Sequence, residues 1–137
     1  MISDNWNPSN VCKLLYHHNH SNRNKLRELF KNPIFIPRYN ISLEKERQLA
    51  YDRLKLICNS GVISVKDFWH NPRNIFAVHE LAGMIDGAMA TKLTVQFNLF
   101  GGTLLKLGTT YHHQILDSID KLDKVGCFAL TELAYGI

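Results

Sequence analysis

From Ala88 to Phe100 this 137-residue chain is apolar on nearly every side, and that stretch restricts the possible folds more than any other. A helix with one apolar stripe can lie on a surface, but a helix apolar all round must be surrounded. The stretch is therefore expected to be a central, buried helix, with the small Ala88 and Ala90 letting neighbours approach closely. Gly101-Gly102 is expected to break it, since glycines at a helix end commonly form a C-cap.

The flanking punctuation places other helices around this one. Residues 1–20 are polar and read as an irregular N-terminal extension. A helix is expected from about Asn22 to Lys31, stopping before Pro33 because a residue preceding proline avoids the α region. Pro33 to Asn40 reads as an extended crossing segment. Ser42 caps the next helix, with Glu44 and Glu46 near the positive end of its dipole. Its stripe is Leu43, Ala50, Leu54, Ile57 and Cys58, and Asn59-Ser60-Gly61 ends it. Ser64 with Asp67 opens a short helical turn. Asn71-Pro72 is a stronger start signal, followed by Ile75, Val78, Leu81, Ala82 and Ile85 on one face, with Glu80 and Asp86 away from it. A short Thr103–Leu107 segment closes at Gly108. Thr110 then caps an amphipathic helix carrying Tyr111, Ile115, Ile119 and Leu122.

Composition narrows the function classes. Hydrophobic residues make up 45% of the chain and charged residues 20%, which suits a packed globule and argues against disorder. No apolar run approaches the ~20 residues that a bilayer crossing needs. The first twenty residues, with Asp4, Asn5, Asn7 and His17-His18, lack the apolar core of a secretory signal. Three widely spaced cysteines, Cys12, Cys58 and Cys127, read as reduced thiols. The net charge of +4 raises the question of nucleic acid, because Arg23, Lys25, Arg27 and Lys31 crowd one helix. Glu28 interrupts them and no aromatic platform is interleaved, so a solvated face is expected and no nucleic-acid partner. Cys12 with His17, His18 and His20 lacks a second clean pair, so no metal site is assigned. His112 and His113 point in different directions on their helix, one toward the core and one toward water.

After Gly126 the character changes. Cys127 to Leu130 is a short apolar run that reads as a buried strand of about five residues, delivering Thr131 and Glu132 at its far end. A threonine there offers a hydroxyl and a backbone N–H together, a pairing that can grip a planar ring rich in heteroatoms. By the residues alone the plainer reading is an ordinary strand surfacing at two polar positions. The fold class expected is all-α, an N-terminal domain of about five or six helices ending in the first strand of a truncated β domain. Its parts are the extension 1–20, a helical domain 21–125 and the start of the β domain at 126–137.

Gly126-Cys-Phe-Ala-Leu-Thr-Glu-Leu133 resembles the flavin-contacting segment of the acyl-CoA oxidases, cousins of the acyl-CoA dehydrogenases. Val95-Gln-Phe-Asn-Leu-Phe-Gly-Gly-Thr103 and Lys106-Leu-Gly-Thr109 resemble that family at the spacing it uses. Asn32-Pro33, Pro37-Arg38-Tyr39, Glu46-Arg47 and Asp52-Arg53-Leu54 are similar to its first helices. The resemblance implies FAD as cofactor and fatty acyl-CoA as substrate. Such enzymes remove two hydrogens from the α and β carbons, the proton going to a carboxylate base and the hydride to flavin N5. Oxygen then reoxidises the flavin and yields hydrogen peroxide. It also implies that Thr131 hydrogen-bonds the flavin ring, that Phe128, Ala129 and Leu130 form the strand beside it, and that Gly101-Gly102 shapes a wall near the flavin or acyl pocket.

The chain departs from the pattern in two places. Ala134 stands where a glycine is usual, and Ile137 ends the sequence where the family's loop continues. The family's catalytic glutamate lies far downstream, so no catalytic residue is assigned here and Glu132 is not given that role. A peroxisomal address rests on resemblance, as the sequence ends in no targeting tripeptide. A family-like homodimer is expected only for a full-length protein. The other readings are a truncated, non-catalytic paralogue serving as a helical interaction module, or an acyl-CoA dehydrogenase with another electron acceptor.

Overall fold

Asn7, Ser42 and Asp86 each precede a helix in extended backbone and turn a side-chain oxygen onto its first free N–H groups. The computed structural model describes residues 7–131, 133 and 134, and expectations resting on Asp4, Asn5, Glu132, Gly136 and Ile137 lie outside them. The first cap corrects the irregular extension. Pro8–Leu15 is a helix, α1, with Pro8 in its first turn and the Asn7 carboxamide accepting the Ser9 N–H at 2.9 Å. Helix α2 (His20–Leu29) begins earlier than expected, because Asn19 turns the chain in the left-handed region at φ 54°.

Pro33–Phe35 forms a 3₁₀ turn rather than extended chain, with Asn32 accepting the Ile34 N–H. Helix α3 (Leu43–Asn59) starts at Ser42 and stops at Asn59 as the sequence indicates. Ala50, Leu54, Ile57 and Cys58 are buried, whereas Leu43 lies in the first turn and is exposed. Helices α4 (Asp67–His70) and α5 (Pro72–Ile85) follow. Asn71 precedes Pro72 but does not cap α5 through its side chain. Its carboxamide exchanges hydrogen bonds with that of Asn19 at 2.7 and 3.3 Å, tying the start of α2 to that of α5.

The apolar run is the middle of the molecule, as its composition demands. Helix α6 (Gly87–Leu93) continues into a π-helical segment, Thr94–Gly101, and then into α7 (Gly102–Leu107) without leaving helical backbone. Met89, Leu93 and Phe97 along it are fully buried. The Gly101-Gly102 pair therefore does not break the helix; it answers a packing need. A β-carbon at Gly101 would stand 2.5 Å from Val65 Cγ2 and 3.1 Å from the Gln96 carbonyl. Gly101→Ala should destabilise the fold by about 1–3 kcal/mol through overpacking, despite alanine's better helix propensity. Chemical denaturation checks this, and a neutral or stabilising result would remove the packing explanation.

The expected final helix divides into α8 (Thr110–His113) and α9 (Leu116–Asp120), with a turn at Gln114 and Ile115. Thr109, not Thr110, is the N-cap, and its N–H donates to His112 Nδ1 at 3.1 Å. The turn changes the buried stripe to Leu116, Ile119 and Leu122, leaving Tyr111 exposed. Helix α3 lies along α6, α5 packs on both α2 and α6, and α9 lies against the π segment.

The basic helix α2 is not uniformly solvated. Lys25 and Lys31 are exposed, but Arg23 is 1% exposed, with Nη2 donating to Glu80 at 2.9 Å and Nε to the His18 carbonyl at 3.2 Å. Its guanidinium and that of Arg27 lie 4.8 and 4.9 Å from the centre of the Tyr16 ring, which holds the end of α1. Sequence shows the charge but not the carboxylate on α5 that lets it be buried.

Among the described residues there is no strand. Residues 126–131 have no regular structure, because no neighbouring strand lies beside them to take their backbone hydrogen bonds. The buried strand expected there is thus an exposed segment, and the rest of the fold is all-α.

Candidate functional site

The π segment turns Gln96 inward, where it is 2% exposed and meets the chain leaving α9. Its Nε2 donates to the Ile119 carbonyl at 3.1 Å and the Lys124 carbonyl at 2.7 Å. Its Oε1 accepts the Gly126 N–H at 3.3 Å. The two carbonyls can only accept and the Gly126 N–H can only donate, so the carboxamide has one orientation that suits all three. Between the two carbonyls lies Leu122, buried and in the left-handed region at φ 60°. Such backbone costs about 1–3 kcal/mol in a residue with a β-carbon, and it persists where surrounding contacts impose it. Gly126 then passes against the Phe100 ring so closely that a β-carbon there would collide with it.

Beside this clamp lies an apolar cavity of about 270 Å³. Tyr51 and Leu54 of α3, Val95 and Gln96 of the π segment, and Leu122 and Val125 of the outgoing chain line it. It sits between the central helix and the start of the segment that carries the expected flavin contacts.

Those contacts are brought together only as neighbours in sequence. Phe128 is 40% exposed, Leu130 is 76% exposed, and Ala129 and Thr131 are exposed as well. Among the described residues Thr131 makes no hydrogen bond, and it carries a hydroxyl and an N–H together. That donor and acceptor pair fits one edge of a flavin, although it is one contact and not a whole cradle. Gly101 and Gly102 are buried in the helix against Val65 and Phe68, so they act in packing. His113 Nε2 lies 3.2 Å from the Leu105 carbonyl, while His112 serves the Thr109 cap.

Among the described residues no nucleophile is paired with a base. Burial pushes the Cys58 thiol up to about 12, which leaves it an inert core residue. Asp120 is raised from its ordinary value by burial, opposed by hydrogen bonds from Ser64 Oγ at 2.5 Å and the Val65 N–H at 2.8 Å. Those bonds make it a tie between α9 and the start of α4. Among the described residues no three His, Cys, Asp or Glu side chains could together hold a metal ion, and no helix is long and apolar enough to cross a membrane. Asn74 was also missed by sequence reasoning: it is 1% exposed, donates to the Val62 carbonyl and Asp67, and accepts from Asn22.

The described residues thus form an all-α unit whose central helix holds the outgoing segment beside an apolar cavity. The chain is 38% identical over 98 residues to acyl-coenzyme A oxidase 2, peroxisomal, of Arabidopsis thaliana, covering 70% of this chain and 14% of the relative. It is 34% identical over 110 residues to human peroxisomal acyl-coenzyme A oxidase 3, covering 79% of this chain and 16% of that protein. Acyl-coenzyme A oxidase acox-3 of Caenorhabditis elegans is 29% identical over 105 residues, or 76% of this chain and 15% of the relative. No family model and no solved structure matches. The chain belongs to the acyl-CoA oxidase family, and it spans 14% to 16% of the length of these relatives.

Proposed function

We propose that this chain is the N-terminal helical part of an FAD-dependent acyl-CoA oxidase that introduces the α,β double bond of a fatty acyl-CoA. Residues 21–125 form the helical domain, and 126–137 begin the β domain that touches the flavin. The observation that carries this reading is the clamped exit of the chain at Gly126, beside an apolar cavity and leading directly to Thr131. The Thr131 hydroxyl and N–H hold the edge of the isoalloxazine, with Phe128, Ala129 and Leu130 as the exposed segment alongside. FAD, when bound, supplies the two-electron acceptor, and oxygen returns it to the oxidised state with release of hydrogen peroxide. The cavity, open on one side, offers apolar surface against which an acyl chain can lie. A carboxylate from elsewhere in the enzyme takes the α proton, in keeping with the family's glutamate lying far downstream of the stretch this chain matches. The names of the plant and human relatives support a peroxisomal location.

The test is a full-length relative in which residues 25–136 of this chain replace the matching stretch. Thr131→Ala should weaken flavin binding or slow flavin reduction by about 1–3 kcal/mol, through a partner left unpaired. Thr131→Ser keeps the hydroxyl and should largely restore the parent value. A packing residue gives the reverse order, because serine loses a methyl and still hides a polar group. Equal behaviour of the two variants, or a worse serine, would sink the flavin role.

A further inference from the structure

We infer that Gln96 is a positioning residue of the flavin site, acting through the segment that carries Thr131; the inference rests on the flavin reading above. The side chain sits on the central helix, yet its three partners lie 23, 28 and 30 residues further along the chain. Only the Ile119 carbonyl belongs to a helix, α9. Lys124 lies just beyond it, its own N–H donating back to the Ser118 carbonyl of α9 at 3.1 Å, so the Gln96 bonds to Lys124 and Gly126 carry the hold from the end of the helix out to the first residues of irregular chain. They fix where the outgoing backbone starts and which way it points. The left-handed Leu122 between the bonded carbonyls and the Phe100 ring against Gly126 remove the remaining freedom at that pivot.

The leverage explains why such a clamp matters. An extended chain rises about 3.3 Å per residue, so Thr131 stands some 16 Å from Gly126 when the segment is drawn out as a strand. A tilt of about 10° at the pivot then displaces Thr131 by roughly 3 Å, well beyond the ~0.5 Å that a hydrogen-bonded site tolerates. If the position needed filling alone, a methionine of similar length would serve equally well.

The experiment uses the same full-length flavoprotein carrying residues 25–136. Gln96→Met removes all three bonds. Gly126→Ala keeps Gln96 but drives a methyl into the Phe100 ring, which packs against the core, so its melting temperature is measured beside its flavin affinity. Both should weaken flavin binding at least tenfold and move the bound flavin's visible absorption toward that of free flavin. Thr131→Ala should cost little further in either background, since the threonine is already out of place. A structural role predicts something different: a lower melting temperature without flavin, unchanged affinity in the folded fraction, and a full added cost from Thr131→Ala. That pattern overturns the inference. A parent protein that holds no flavin sinks the flavin reading and this inference with it, whereas one binding equally well with glutamine or methionine at 96 sinks the inference alone.

Discussion

Asp86→Ala should remove about 3–5 kcal/mol of folding stability, the cost of leaving a buried charge without its partner. Asp86 lies between α5 and α6, and its Oδ2 accepts from Arg53 Nη1 at 2.6 Å. The two side chains are 13% and 6% exposed, so water does not replace the lost carboxylate. Arg53 also donates Nε to the Ile34 carbonyl at 2.7 Å and Nη2 to the Ile36 carbonyl at 2.8 Å. One guanidinium thereby joins α3, the 3₁₀ turn and the α5–α6 junction. The other Asp86 oxygen accepts the N–H groups of Ala88 and Met89, and loss of such a cap costs about 1 kcal/mol alone. Asp86→Asn keeps a capping oxygen and should fall between parent and alanine. In the Arg53→Met background, Asp86→Ala should cost much less, because the orphaned charge is gone. Urea midpoints with an unchanged slope measure this. A cost below about 1 kcal/mol for Asp86→Ala would mean that the pair behaves as an exposed one.

What could be read from the sequence follows from how each feature is caused. The buried rod of Met89, Leu93 and Phe97 was legible because burial demands apolar side chains and spacing records them. Ser42 was legible because a cap acts within three residues, as its bond to the Lys45 N–H shows. Gly101-Gly102 was misread because glycine's meaning depends on its neighbour, here Val65, which lies far off in sequence. Arg23 and Arg53 look like any surface cations, and their carboxylates lie 57 and 33 residues away. Gln96 sits within a motif the family shares, but nothing local shows its role, which exists only once the chain has come back past it. The outgoing segment fails for another reason. A short apolar run records a tendency to pair, while a strand needs a partner, and residues 126–131 have none among the described residues. The family was legible because several short motifs occur in one order, and identity to the relatives bears that out.

The π segment offers the other large effect, and it tests whether the central rod is held by one buried side. Phe97 is 0% exposed, and Leu99, two residues on, is 37% exposed. Phe97→Ala should cost about 3–5 kcal/mol, combining lost transfer energy with a cavity that the surrounding helices fill only in part. Phe97→Leu keeps most of the volume and should cost far less, about 1 kcal/mol. Leu99→Ala removes a large apolar side chain from the same segment, so helix propensity and chemistry are close to matched. Much of the Leu99 surface is already in water, and its loss should stay within about 1 kcal/mol. The contrast matters because π-helical hydrogen bonding is poorer than α-helical and rarely persists unless packing enforces it. Phe97 and Gln96 are the side chains that point this segment inward, one filling the core and one gripping the outgoing chain. Thermal and denaturant unfolding of the three variants gives the answer. Similar costs at 97 and 99 would mean that the segment is not anchored through one face, and the clamp at Gly126 would then lack a rigid base.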